Sequence, residues 1–396
     1  MSADRDRVLL AAVVFAVLLA QVLLYPGVDV LVAALGATTR LDASTWFLAA
    51  EFAAFVVFAG VWGAASDAAG RRVPFIAAGA FGGALGYAAL ATLPAALGLS
   101  FPAVVALRVV QGAATVGAFS LAMTMLMDLG GGHGRNMGAA GIAIGLGTAS
   151  GAPLGGFLYE LGPLVPLYLA ALLLLCVAVL TRFMTDRAPG RSRATAARVV
   201  AGLRRKPLLA VPYAFGFIDR LTAGLFALVG TLYFRTAFGL GPGRTGLVLA
   251  LFFAPFALLQ YPFGVLSDRV GRAVPMVAGS LLYGVGVAAV GQAPSVVLAG
   301  ATMVAVGVLG ALMAPATMAL VTDLADSTER GAAMAGFNVA GSVGFLAGTV
   351  LGGAVAGAAG YPSAFLVAGA LEVLIALVAL PVVLRTDVDR TRTFAE

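Results

Sequence analysis

Apolar runs of about 20 residues recur along the whole of this 396-residue chain, each long enough at 1.5 Å per residue to cross a hydrocarbon core of about 30 Å. Lipid offers no hydrogen-bond partner, so a crossing segment must satisfy its own backbone as a helix or join a closed barrel. The runs are continuous rather than alternating, which selects helices. Hydrophobic residues make up 61% of the chain and charged residues 11%, against roughly 25% charged in soluble domains. That is too little charge to cover a water-facing surface.

The runs predict an all-α polytopic membrane protein with twelve transmembrane helices, at 8–29, 44–65, 73–93, 101–127, 137–159, 163–184, 208–234, 245–266, 273–292, 295–320, 331–355 and 363–384. The first run follows Arg5 and Arg7, but it is long and lacks a small-residue cleavage site, so it reads as a permanent span rather than a signal peptide. An even number of spans returns both termini to one side. Nineteen of the 24 Arg and Lys residues fall in the loops of that side, whereas Arg40, Arg235 and Arg244 fall opposite and Arg108 and Arg220 lie within spans. The positive-inside rule makes the basic side cytoplasmic, so the expectation is a multi-pass plasma (inner) membrane protein with cytoplasmic N- and C-termini. The net charge of +6 is spread over short loops in no groove-binding pattern, which argues against a nucleic-acid partner. The single cysteine, Cys176, excludes an internal disulfide.

The longest polar stretch, 185–207, divides the spans six and six, giving an N-terminal bundle over 1–184, a basic cytoplasmic linker over 185–207 and a C-terminal bundle over 208–396. The two halves echo each other. Ser66-Asp67-Ala68-Ala69-Gly70-Arg71-Arg72-Val73-Pro74 matches Ser267-Asp268-Arg269-Val270-Gly271-Arg272-Ala273-Val274-Pro275 at six of nine positions. Asp128-Leu129 through Arg135 matches Asp323-Leu324 through Arg330, and Gly147, Gly151, Gly155 and Gly156 match Gly344, Gly348, Gly352 and Gly353. Ordered matches at nearly one offset point to duplication of a six-helix unit. Six spans preserve orientation, so the copies are pseudo-symmetric about an axis along the membrane normal.

With Gly63, Asp67, Gly70, Arg71 and Arg72 repeated as Gly264, Asp268, Gly271 and Arg272, the chain resembles the major facilitator superfamily, whose loop between the second and third helices carries G-x-x-x-D-x-x-G-R. The resemblance implies the two-bundle major facilitator fold and a cytoplasmic gate in which carboxylate and guanidinium latch helix ends together. Arg108, Gln111 and Gly112 are similar to the family's R-x-x-Q-G signature on the fourth helix, where the arginine is linked with proton coupling. Gly138, Gly147, Gly151, Pro153, Gly155 and Gly156 are similar to the fifth-helix motif of the family's proton-coupled drug antiporters, except that Ala152 stands where that motif has proline. Plain helix packing accounts for the glycine row equally well, since the second half repeats it.

An ionisable group inside a bilayer is costly and marks a functional position. The proton-coupling candidates are therefore Glu51, Asp219, Arg108, Asp29 and Glu372, with Glu51 and Asp219 foremost; a place near lipid or at a dimer contact fits Glu372 equally well, and a wetted surface position is the alternative for Asp29, near the outer end of the first span. Gln21, Tyr25, Phe215, Arg220, Tyr233, Gln260 and Asn338 are candidates to line a substrate cavity. His133 sits in a glycine-rich turn without a second ligand nearby, so no metal is expected. No nucleotide-binding loop, zinc-ligand spacing or nucleophile elbow is present, so the chain is not expected to be an enzyme or to need a cofactor beyond a proton gradient. The leading reading is a secondary active transporter, monomeric in function, exchanging protons for small amphipathic or drug-like molecules by alternating access. The alternatives are an uptake permease for a sugar, organic acid or amino acid, and a non-transporting membrane sensor or scaffold.

Overall fold

The computed structural model describes residues 2–130, 133–186, 203–326 and 330–393, and all regular structure among them is helical. Most of the expected linker, 187–202, lies outside the described residues. Among the described residues fourteen α-helices run in chain order: α1 Ser2–Val22, α2 Val28–Ala34, α3 Leu41–Ala69, α4 Val73–Leu97, α5 Phe101–Asp128, α6 His133–Leu161, α7 Val165–Leu180, α8 Ala210–Leu225, α9 Thr231–Ala237, α10 Pro242–Val270, α11 Ala273–Val290, α12 Val296–Leu324, α13 Arg330–Ala359 and α14 Tyr361–Thr393. They make twelve stretches long and apolar enough to cross a membrane, with α1 and α2 forming the first and α8 and α9 the seventh.

Several helices outrun the apolar segments that announce them. The second crossing is Leu41–Ala69 rather than 44–65, and the tenth is Val296–Leu324 rather than 295–320. A 29-residue helix is about 44 Å long, so its ends pass beyond a hydrocarbon core of about 30 Å, where the sequence need not stay apolar. α3 ends at Gly70 with φ 65°, and the turn after α10 holds Gly271 with φ 89°. Both lie in the left-handed region where a Cβ is strained, which explains the glycine shared by the two copies of the loop motif.

The first and seventh crossings are interrupted alike. Pro26 supplies no amide hydrogen, and the chain passes through a 3₁₀ turn, Tyr25–Gly27, between α1 and α2. In the seventh crossing the interruption is a π turn, Phe226–Gly230, between α8 and α9. Tyr25 and Phe226 stand 201 positions apart, as do Ser66 and Ser267, so the breaks are copies of one feature. The first is repaired from α6, where the buried Tyr159 hydroxyl donates to the Leu24 carbonyl at 3.0 Å. Tyr159→Phe strands that carbonyl, and the expected loss is about 1–3 kcal/mol, read as a lower thermal midpoint of the purified protein. An unchanged midpoint means that the carbonyl finds another donor.

The helices form two compact units, Met1–Arg193 with Phe234–Ala250, and Ala194–Tyr233 with Leu251–Glu396. In the first, α1 packs on α6, and α4 packs on α5 and α7; in the second, α8 packs on α13, and α11 packs on α12 and α14. The same three pairings thus recur in the same order. Glycine makes the first of them possible in both units. A Cβ at Gly155 would overlap the backbone of Leu23, and one at Gly344 or Gly348 would overlap the backbone of Phe217 or Leu221. Gly348→Val is expected to push α13 off α8 and destabilise by about 1–3 kcal/mol. A thermal midpoint equal to wild type would show that the helices are not in backbone contact there.

Candidate functional site

Four helices of the first unit deliver polar side chains to one buried point. Arg108 and Gln111 are three residues apart on α5 and Thr115 follows four later, a spacing that places all three on one helical face. Arg108 Nη2 donates to Glu51 Oε2 of α3 at 2.6 Å, and Nη1 donates to Gln111 Oε1 at 2.5 Å. Gln111 Nε2 donates onward to Thr115 Oγ1 at 2.7 Å. Glu51 also accepts from Gln21 Nε2 of α1 at 3.3 Å and from the Tyr87 hydroxyl of α4 at 3.4 Å. The guanidinium lies over the rings of Phe47, at 4.7 Å, and Tyr87, at 5.3 Å. Arg108 and Glu51 side chains are both 0% exposed.

This geometry explains the residue pattern of the α5 signature. Gly112 is where α3 presses on α5, since a Cβ there would stand 3.0 Å from the Glu51 Cα and 3.1 Å from its carbonyl oxygen. Gly86 of α4 likewise makes room for the Gln111 side chain. Either charge alone would be prohibitively costly at this depth, but the pair is neutral and nearly every polar atom is engaged. The Arg108 Nε is the exception, buried without a partner. A proton or cationic ligand that takes Glu51 therefore frees a guanidinium, so the cluster can convert ligand binding into a charge rearrangement.

The other intramembrane charges sit elsewhere. Asp29 of α2 is buried rather than wetted, with Oδ1 2.7 Å from Arg235 Nε and Oδ2 3.9 Å from the exposed Arg40. Sequence reasoning placed Arg235 in a loop because it follows the apolar run, whereas α9 carries it inward. Asp219 and Arg220 approach each other to 3.9 Å, Asp219 mostly covered and Arg220 half exposed. Glu372 is not at a lipid or dimer contact. It is 0% exposed, and Oε1 accepts a hydrogen bond from Ser280 of α11. Gly284 backs it, since a Cβ there would lie 3.0 Å from the Glu372 Cβ.

Among the cavity candidates, Gln21 belongs to the Glu51 cluster and Tyr25 is buried in the 3₁₀ turn. Phe215 and Tyr233 are both buried. Phe215 is packed among Met276, Val277, Ala316, Leu320 and Ala376, and Tyr233 is covered by Phe365 while its hydroxyl donates to the Gly291 carbonyl at 3.3 Å. Both lie on the inward face of a crossing, which composition cannot tell from a cavity face. Gln260 is partly exposed, and Asn338 is exposed on α13.

The loop motif ties helix ends within each unit. Arg72 Nη1 lies 2.5 Å from Asp128 Oδ2 at the end of α5, while Asp186 Oδ1 accepts from the Arg72 amide at 3.0 Å. In the second unit Arg272 Nη1 lies 2.5 Å from Asp268 Oδ1, and its Nε lies 3.3 Å from Asp323 Oδ2 near the end of α12. Asp67 has no side-chain partner among the described residues, and Arg71 is exposed. Gly63 and Gly138 have open space where a Cβ would stand, and Gly264 has only Pro315 within 4 Å. Gly147 and Gly151 face Phe15 and Val22 of α1, while Gly156 faces the Pro242 carbonyl. Ala152 and Pro153 are backed by Gly246, so α6 continues through Pro153.

Sequence reasoning missed a further pair of basic anchors. The buried Arg7 donates to Asn136 Oδ1 at 2.7 Å and to the Gly130 carbonyl at 2.9 Å, and it pairs with Asp4. In the second unit Lys206 donates to the Leu324 carbonyl at 3.3 Å and lies 2.6 Å from Asp326. The available signal was the second internal echo, which marks these carbonyl-bearing turns as copies. The described residues contain no group of three or more His, Cys, Asp or Glu placed to hold a metal ion; the side chain of His133 lies outside them.

The model of the Major Facilitator Superfamily matches residues 10–219 and 213–395, one six-helix set after the other. The chain belongs to the major facilitator superfamily. Its fold is that of solved transporters throughout its length. A nucleoside transporter superposes with a TM-score of 0.75 at 14% identity, over 97% of this chain and 99% of that one. A D-xylose-proton symporter gives 0.72 at 16% identity over 94% and 96%. A human organic anion transporter gives 0.65 at 20% identity over 95% and 99%. No curated protein is recognisably similar in sequence. This major facilitator protein is therefore a multi-pass membrane transporter of the secondary type.

Proposed function

We propose that the chain is a proton-coupled exporter of small amphipathic molecules, working by alternating access of two six-helix bundles joined by the basic linker at 185–207. The observation that carries the reading is the Glu51–Arg108 pair, fully buried and held by α1, α3, α4 and α5. A charged pair that merely held helices together would be no more stabilising than an apolar contact of the same volume, so retaining it points to use. The linker, the termini and the basic loops face the cytoplasm of the inner membrane in this account, and the protein acts as a monomer. Export is supported by the likeness of the α6 glycine row to antiporters and by the apolar character of most residues along the spans.

Uptake of a polar metabolite is the second reading. Solved structures of like fold include a nucleoside transporter and a D-xylose-proton symporter. Cells producing the chain are expected to retain several-fold less ethidium than cells producing Glu51→Gln or Asp219→Asn. Equal retention together with chain-dependent accumulation of radiolabelled nucleoside or xylose would replace export by uptake.

A further inference from the structure

Of the four carboxylates Glu51, Asp29, Asp219 and Glu372, Glu372 differs in having no cation paired with it among the described residues. Glu51 has Arg108, Asp29 has Arg235, and Asp219 has Arg220 within 4 Å. No arginine, lysine or histidine among the described residues forms an ion pair with Glu372, although its side chain is 0% exposed. Oε1 receives the Ser280 hydroxyl, and Oε2 receives nothing. An ionised carboxylate has about four acceptor sites, and leaving most of them empty in a dry interior favours the neutral acid.

The groups around it are consistent with this. From α11 come Ser280 and, one turn on, Tyr283, whose hydroxyl is fully buried and unpartnered. From α8 come Thr222, whose hydroxyl donates to the Ile218 carbonyl at 3.2 Å, and one turn earlier Asp219 with its neighbour Arg220. α11, which carries Tyr283, and α8, which carries Asp219, both pack on α14, which carries Glu372. The π turn carries no titratable side chain, and on α13 only Arg330, at its start, is ionisable. Asp219 is 17% exposed, so the cluster runs from a partly wetted carboxyl, past a free hydroxyl, to a dry one.

We propose that Glu372 is a neutral carboxylic acid forming a second proton-binding site, within the second unit and separate from the Glu51–Arg108 pair, with Asp219 as its exchange partner. Its use in transport rests on the proton-coupled reading; its protonation does not. Infrared spectra of the purified full-length protein at neutral pH are expected to contain a protonated-carboxyl carbonyl band that shifts in deuterated water. The band should vanish in Glu372→Gln, persist in Glu51→Gln, and move to higher frequency in Ser280→Ala, where the carbonyl loses its donor. Absence of the band in wild type, its survival in Glu372→Gln, or indifference to Ser280→Ala overturns the proposal. Disappearance of the band on adding sodium chloride in place of potassium chloride at constant pH also overturns it, in favour of a sodium site. Since no substrate is added, failure here leaves export untouched, and failure of export leaves the band in place.

Discussion

Arg108→Ala is expected to destabilise the protein by about 3–5 kcal/mol and to abolish coupled flux. The substitution removes the only cation bonded to Glu51 among the described residues and leaves that carboxylate with Gln21 and Tyr87 at 3.3 and 3.4 Å, neither of which can neutralise it. It also empties the space between the Phe47 and Tyr87 rings. Truncating one member of a buried pair costs more than removing both charges. The double variant Glu51→Gln with Arg108→Gln should therefore recover much of the thermal stability while remaining without flux. Separate measurements of melting and of flux on the three proteins check this, and equal melting of Arg108→Ala and wild type would show that the pair is hydrated.

Asp29→Ala is expected to be the next most damaging change, at about 3 kcal/mol. Arg235 is only 14% exposed and would lose its close counter-ion, while Arg40, mostly in solvent at 75% exposure, holds Asp29 too loosely to matter. Asp29→Asn keeps volume and an acceptor oxygen and should cost less than half as much. Thermal midpoints of the two variants give the order directly; equal losses would assign the effect to packing rather than charge.

The fold was legible because its cause is written locally. Continuous apolar runs require helices, the loop glycines mark the turns, and the basic loops mark one face. The duplication was legible too, and it even held the pairing of Arg72 with Asp128 and of Arg272 with Asp323, since both partners lie in echoed segments. Sidedness within a helix was not legible. Phe215 and Gln21 look alike as polar-adjacent members of apolar runs, yet one is core and the other bonds Glu51. For Glu372 a peripheral place was as open as a proton site, because the family's twelfth helix is usually peripheral, but Gly284 and Ser280 let α11 close over it. Asp29 and Arg235 were assigned to water because each lies at the end of an apolar run, and only their 2.7 Å ion pair shows them mostly buried together.

In the proposed mechanism, proton movement through the Glu51–Arg108 cluster drives solute movement. Proteoliposomes loaded with a pH-sensitive dye and held acid inside test it most directly. Ethidium added outside should accumulate as the interior loses protons, and Glu51→Gln should stop both together. Ethidium accumulation that continues at the wild-type rate in Glu51→Gln, or after the pH gradient is collapsed, would contradict the account.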